Sequence, residues 1–105
     1  MKKSHKNIIH VESKGTPVVE LDSAALAAYI RFSKEKVHRT EVVDVKDCLV
    51  TMDIDQDDAV VGVELIGIKE FKIETLIKKA GIRGLSPEMI RNARYVPATP
   101  EPVAC

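Results

Sequence analysis

The sequence predicts an α+β domain: an antiparallel β-meander of four to five strands followed by two short C-terminal helices. Three observations carry that expectation. Short apolar runs rich in Val and Ile recur between turn signals from Val18 to Ile68, about every eight to twelve residues. Beyond Glu70 the apolar spacing changes from alternation to a helical period. The chain has 105 residues, enough for one domain and too few for two independent cores.

The elements follow in order. Residues 1–17 read as a basic N-terminal arm, in which Ile8, Ile9 and Val11 allow one short strand. Ser13–Pro17 reads as a turn because it holds Gly15 and Pro17. Val18–Leu21 is a strand candidate that stops at the turn pair Asp22-Ser23. Residues 24–36 are ambiguous from pattern alone. Alanine content and Ser23 as an N-cap favour a helix, whereas Leu26, Ala28, Ile30 and Phe32 alternate as they would on a strand. Ser33–Lys36 is a polar turn, and Val37–Val45 follows as a strand among polar residues. Leu49–Met52 leads through Asp53-Ile54-Asp55 into an acidic turn at Gln56–Asp58. Residues 59–68 form the strongest strand, and Gly62 and Gly67 within it signal a bulge or a close neighbouring backbone.

Ile73, Leu76, Ile77 and Ala80 then occupy one helical face, with Lys78 and Lys79 in the last turn and Gly81 as the stop. Ser86-Pro87-Glu88 opens a second helix, expected to run to about Tyr95. The domain is thus expected over 18–96. Residues 97–105, with Pro97, Pro100 and Pro102, read as a Pro-rich disordered tail.

Composition restricts the function classes. Apolar residues make up 45% and charged residues 30%, a balance that supports a core. With two Tyr, two Phe and no Trp, that core is built from Val, Ile and Leu, and such a sheet needs a cover from helices or a second subunit. The net charge is zero, so no global field steers nucleic acid or an anionic membrane. The charge is nevertheless unevenly placed: +3 over residues 1–14, −5 over 15–69 and +3 over 70–95. Cys48 and Cys105 do not make a disulfide framework. Met1-Lys2-Lys3 is basic, but no apolar signal segment follows, and no stretch approaches the roughly 20 apolar residues of a membrane span. A cytoplasmic protein without a membrane segment is the expectation.

Three stretches together resemble a known family. They are Leu21-Asp22 through Tyr29-Ile30-Arg31, the pair Arg39-Thr40, and Asp53-x-Asp55-x-Asp57-Asp58-x-Val60-Val61-Gly62-Val63-Glu64-Leu65. The pattern is similar to the bacterial small-protein family known as domain of unknown function 2283, over about Val19–Ile68. The resemblance implies strand rather than helix over residues 24–36, and it implies no activity. Two departures stand out. Asp58 occupies the place of the family's turn Gly, and Leu26 that of its second Asp before the strand.

The sharpest candidate site is a divalent-cation loop. Asp53, Asp55, Asp57 and Glu64 sit at positions 1, 3, 5 and 12 of a calcium-binding loop frame. Against it, position 6 is Asp58 instead of Gly, and the flanks read as strands where such a loop needs helices. A hairpin turn whose Asp side chains bond backbone amides is the competing explanation. Glu64 lies in the most apolar strand, where Arg31 or Arg39 is its expected ion-pair partner. No nucleophile–base pair is recognisable, His5, His10 and His38 are too sparse for a metal cluster, and no catalytic residue or cofactor is expected. Lys78, Lys79, Arg83, Arg91 and Arg94 make the helical part basic, but two Gly in its connector argue against a helix-turn-helix, and nucleic-acid binding ranks third. The leading expectation is a protein-interaction module, forming a homodimer or engaging a partner protein in an antitoxin-like manner. Cation binding at Asp53–Glu64 is the alternative.

Overall fold

In a computed structural model of the chain, residues 8–12 and 15–98 are described. The elements are β1 (Ile9–His10), β2 (Val18–Asp22), β3 (Ala27–Arg31), β4 (Arg39–Val43), β5 (Leu49–Ile54) and β6 (Val60–Ile66), followed by α1 (Ile73–Ala80), β7 (Ile82–Arg83), α2 (Pro87–Arg91) and β8 (Arg94–Pro97). The class is α+β, as expected: a six-stranded, mostly antiparallel sheet and two short helices. The residues 24–36 alternate as a strand over β3 and contain no helix.

The strand order β4-β5-β6-β3-β2-β8 departs from a simple meander. The chain leaves β3, passes the positions of β6 and β5, and returns through the β4–β5–β6 hairpins so that β6 pairs with β3. Burial explains the order. Val61, Val63 and Leu65 of β6 and Ile30 of β3 are fully buried and occupy the middle, whereas four of the five residues of β4 are exposed and suit an edge.

Register sorts the side chains onto two faces, because alternate residues of a strand point to opposite sides. On one face Val19, Ile30, Val63 and Met52 lie in a row, next to Leu21, Ala28, Leu65, Val50 and Val43. Ile73, Leu76 and Ala80 of α1 cover this face, with Ile68, Ile82, Ile9 and Val11 completing one core. The N-terminal stretch is therefore part of the core where it is described: β1 pairs in parallel with β7, and Ile9 and Val11 are buried. Residues 1–7 and 13–14 of the expected arm, and 99–105 of the expected tail, lie outside the described residues.

Helix α1 ends as the sequence indicates. Gly81 takes the left-handed conformation (φ 74°) and its N–H donates to the Ile77 carbonyl. Its start is less obvious, because Lys72 supplies no side-chain cap. The Tyr95 hydroxyl accepts from the Ile73 N–H at 2.8 Å instead, so a residue of β8 satisfies the helix. Ser86 caps α2 by accepting from the Met89 N–H at 3.1 Å.

Helix α2 is shorter than expected. It stops at Arg91, and Arg94–Pro97 forms β8, parallel to β2, where a helix was expected to reach Tyr95. Val96 and Pro97 are poor helix formers, and the otherwise open edge of β2 offers the backbone a ladder. The Ala98 N–H extends it to the Leu21 carbonyl, so ordered pairing passes the expected boundary at residue 97.

Leu26 sits in the β2–β3 turn at φ 53°. Left-handed backbone costs a non-glycine residue about 1–2 kcal/mol, and Asn or Asp tolerates it best. The place where the resembling family carries Asp is thus one where backbone shape alone favours it. Leu26 is also 44% exposed, so its side chain adds little burial. We expect Leu26→Asn to stabilise the fold by about 0.5–1 kcal/mol, raising Tm by a few degrees. A thermal melt with Tm unchanged or lowered would show that the turn does not carry this strain.

Candidate functional site

The second face of the sheet has no covering element among the described residues. Its central row runs Glu20, Tyr29, Glu64, Thr51 and Val42 from β2 to β4. On one side lies the row Arg31, Gly62, Asp53 and Thr40, and on the other Asp22, Ala27, Ile66 and Leu49. Polar groups therefore gather at one end. At the other, Val42, Leu49 and Ile66 stay exposed, Val42 to 72%.

The polar end is organised around Tyr29. Its hydroxyl donates to Asp53 Oδ2 at 2.8 Å, and the Thr40 hydroxyl donates to Asp53 Oδ1 at 2.6 Å. Gly62 makes this possible, since a β-carbon there would overlap the Tyr29 ring and hydroxyl. The glycine inside the strongest strand is thus a seat for the ring, a side chain where a neighbouring backbone was expected. A bulge also occurs here: Asp53 pairs with Gly62 and Ile54 with Val60, which leaves Val61 as the extra residue. Arg31 lies over the Tyr29 ring, 5.0 Å from its centre, and binds Glu20 at 3.0 Å.

Burial, reinforced by the Asp53 carboxylate, raises the Tyr29 pKa above the ordinary tyrosine value. The folded state holds this proton more tightly than the unfolded chain. Its contribution to stability is therefore complete below the unfolded pKa, near 10, and is lost as pH rises from there toward the folded value. Tyr29→Phe has no such proton to lose. We expect its stability to fall less steeply than wild type above about pH 10, as read by denaturant melts along a pH series. Parallel slopes would mean that Tyr29 titrates as it does in the unfolded chain.

The four residues of the expected cation loop are distributed along a β-hairpin. Asp53 is on the open face with its two oxygens engaged as above. Asp55 is 9% exposed and caps the turn, its Oδ1 accepting from the N–H groups of Asp57 (2.8 Å) and Ala59 (3.0 Å). Asp58 adopts the left-handed conformation (φ 65°) in the place where the loop frame needs Gly. Glu64 is on the open face between Tyr29 and Thr51. Strands, not helices, flank the loop, and among the described residues no three His, Cys, Asp or Glu side chains are grouped to hold a metal ion. Turn chemistry accounts for Asp55 and Asp58.

The expected ion pairs of Glu64 are absent among the described residues, because its expected partners are engaged elsewhere. Arg31 binds Glu20, and Arg39 bridges Glu41 at 2.7 Å and Asp58 at 2.8 Å. Glu64 projects instead into a shallow groove of about 540 Å³, which Tyr29, Asp53, Glu20 and Ile66 also line. Sequence reasoning did not find this groove. The Tyr29–Asp53 contact joins β3 to β5 across β6, and only the register of three strands brings the two residues together.

Residues 18–69 match a family model described as a protein of unknown function (DUF2283). The chain resembles the DUF2283 family. The DUF2283 stretch holds β2 to β6, and with them every side chain of the Tyr29–Asp53–Thr40 group and of Glu64. The covering helix α1, the edge strand β8 and the buried Ile9 and Val11 lie outside it. No curated protein and no solved structure matches the chain. Among the described residues no helix is long and apolar enough to cross a membrane.

Proposed function

We propose that this chain is a protein-interaction module whose docking surface is the uncovered face of its DUF2283 sheet. The observation that carries this reading is the asymmetry of the two faces. One is sealed by α1 and β1, while the other leaves Val42, Leu49 and Ile66 in solvent beside a polar groove. Adjacent exposed aliphatic side chains across three strands are a surface that association would cover at a gain of roughly 25 cal/mol per Å² of apolar area.

A photo-reactive amino acid placed at Val42, at Leu49 and, on the opposite side, at Glu74 of α1 tests the reading in the host cell. Adducts with another protein chain are expected from the first two positions and not from the third. Equal yields from all three, or none from Val42 and Leu49, would overturn it. Sedimentation of the purified protein then tells a second copy of the chain from a different partner.

A further inference from the structure

We infer that the partner presented to this face is an extended, cationic peptide segment carrying Arg or Lys among apolar residues. The inference rests on the docking surface proposed above and adds the partner's chemistry to it.

Charge is the first argument. The groove beside Tyr29 is lined by Glu20, Asp22, Asp53 and Glu64 against Arg31 alone. A second groove, lined by Glu35, Asp55 and Asp57 against Lys36, meets the first at Val37, which lines both. The residues lining the two grooves carry a net charge of −5 together, counting His38 as neutral. A second copy of this chain laid face to face would set that charge against itself, and like charges opposed across an interface are disfavoured. A cationic partner has its field complemented instead.

Shape and solvation supply the second argument. Exposed Val37 and Ile66 and the methyl of Ala25 stand among the carboxylates, so the surface is both acidic and apolar. An extended segment that alternates cationic and aliphatic side chains matches such a surface, because its stems and branches cover apolar patches while its charged ends reach carboxylates. Glu64 is a carboxylate available to a ligand at the centre of the sheet, as Glu35 and Asp57 are at its rim. It is half-buried and has no hydrogen bond or ion pair among the described residues, whereas Arg31 engages Glu20 and both Asp53 oxygens accept protein hydroxyls.

The test is fluorescence anisotropy with the full chain and a labelled, end-blocked octapeptide of alternating Arg and Val, against the same peptide with Glu in place of Arg. The Arg peptide is expected to bind and to weaken several-fold as salt rises from 0.05 to 0.3 M, on the order expected for screened surface charges. Glu64→Gln is expected to weaken it about two- to five-fold, the range of one exposed ion pair, while Glu88→Gln on α2 leaves it unchanged. Equal binding of both peptides, no binding of the Arg peptide at millimolar concentration, or equal effects of Glu64→Gln and Glu88→Gln would overturn the inference. If the Arg peptide fails while adducts from Val42 and Leu49 persist, the cationic partner falls and the docking face stands. If the adducts also vanish, both fall.

Discussion

Leu76→Ala is expected to destabilise the protein by about 2–5 kcal/mol, the range for removing a fully buried leucine. Leu76 is 0% exposed and lies between Ile73 and Ala80 on the face of α1 that seals the sheet. Shortening it removes apolar surface from the core and leaves a cavity that Val, Ile and Ala neighbours fill poorly. Small domains have total stabilities of about 5–15 kcal/mol, so this one change consumes a large share. Denaturant melts should show a lower midpoint with an unchanged slope, because the surface exposed on unfolding is nearly the same. A loss below about 1 kcal/mol would mean that α1 is loosely attached and that the sheet is stable without its cover.

The second large effect is at Gly62. A methyl there collides with the Tyr29 ring, and the ring cannot withdraw without breaking its bond to Asp53 and its stacking with Arg31. Gly62→Ala is expected to cost about 1–3 kcal/mol, as for overpacking of a close contact. The cause is separable from a general intolerance of side chains in β6. In a Tyr29→Ala background the same substitution has room, and alanine suits a strand better than glycine. The two changes should therefore couple by about 1 kcal/mol or more in a double-mutant cycle. Additivity would place the cost of Gly62→Ala somewhere other than the ring.

Local and distant causes divide what the residues reveal about this fold from what they hide. Strands β2, β4, β5 and β6, the Gly81 stop and the Ser86-Pro87 start were legible because each depends on neighbours within a few residues, whereas β3 was ambiguous from pattern and became a strand only through the family resemblance. Strand β8 was not, since Arg94–Pro97 becomes a strand only by lying beside β2, far away in sequence. The order of strands was hidden for the same reason. Nothing within Arg39–Val43 states that it will sit three places from β3, with β5 and β6 between, instead of beside it. At the candidate site, Asp55 and Asp58 behave as local turn chemistry predicts, with the cap and the left-handed backbone both in place. The Tyr29–Asp53–Thr40 group, by contrast, joins three strands and leaves no spacing signature. Glu64 is partly buried, as its apolar strand suggested, but its expected arginine partners are bound by Glu20, Glu41 and Asp58.

The hydroxyl of Tyr95 on the first amide of α1, with β8 beside β2, bears on the order in which the molecule is made. A nascent chain that has emerged only as far as Arg91 holds every strand of the DUF2283 stretch, yet neither the outermost ladder nor the acceptor that satisfies the helix start. Until Arg94–Pro97 has left the ribosome, the edge of β2 stays available to other chains. Synthesis from the N-terminus thus completes this sheet only after all of its DUF2283 strands have emerged.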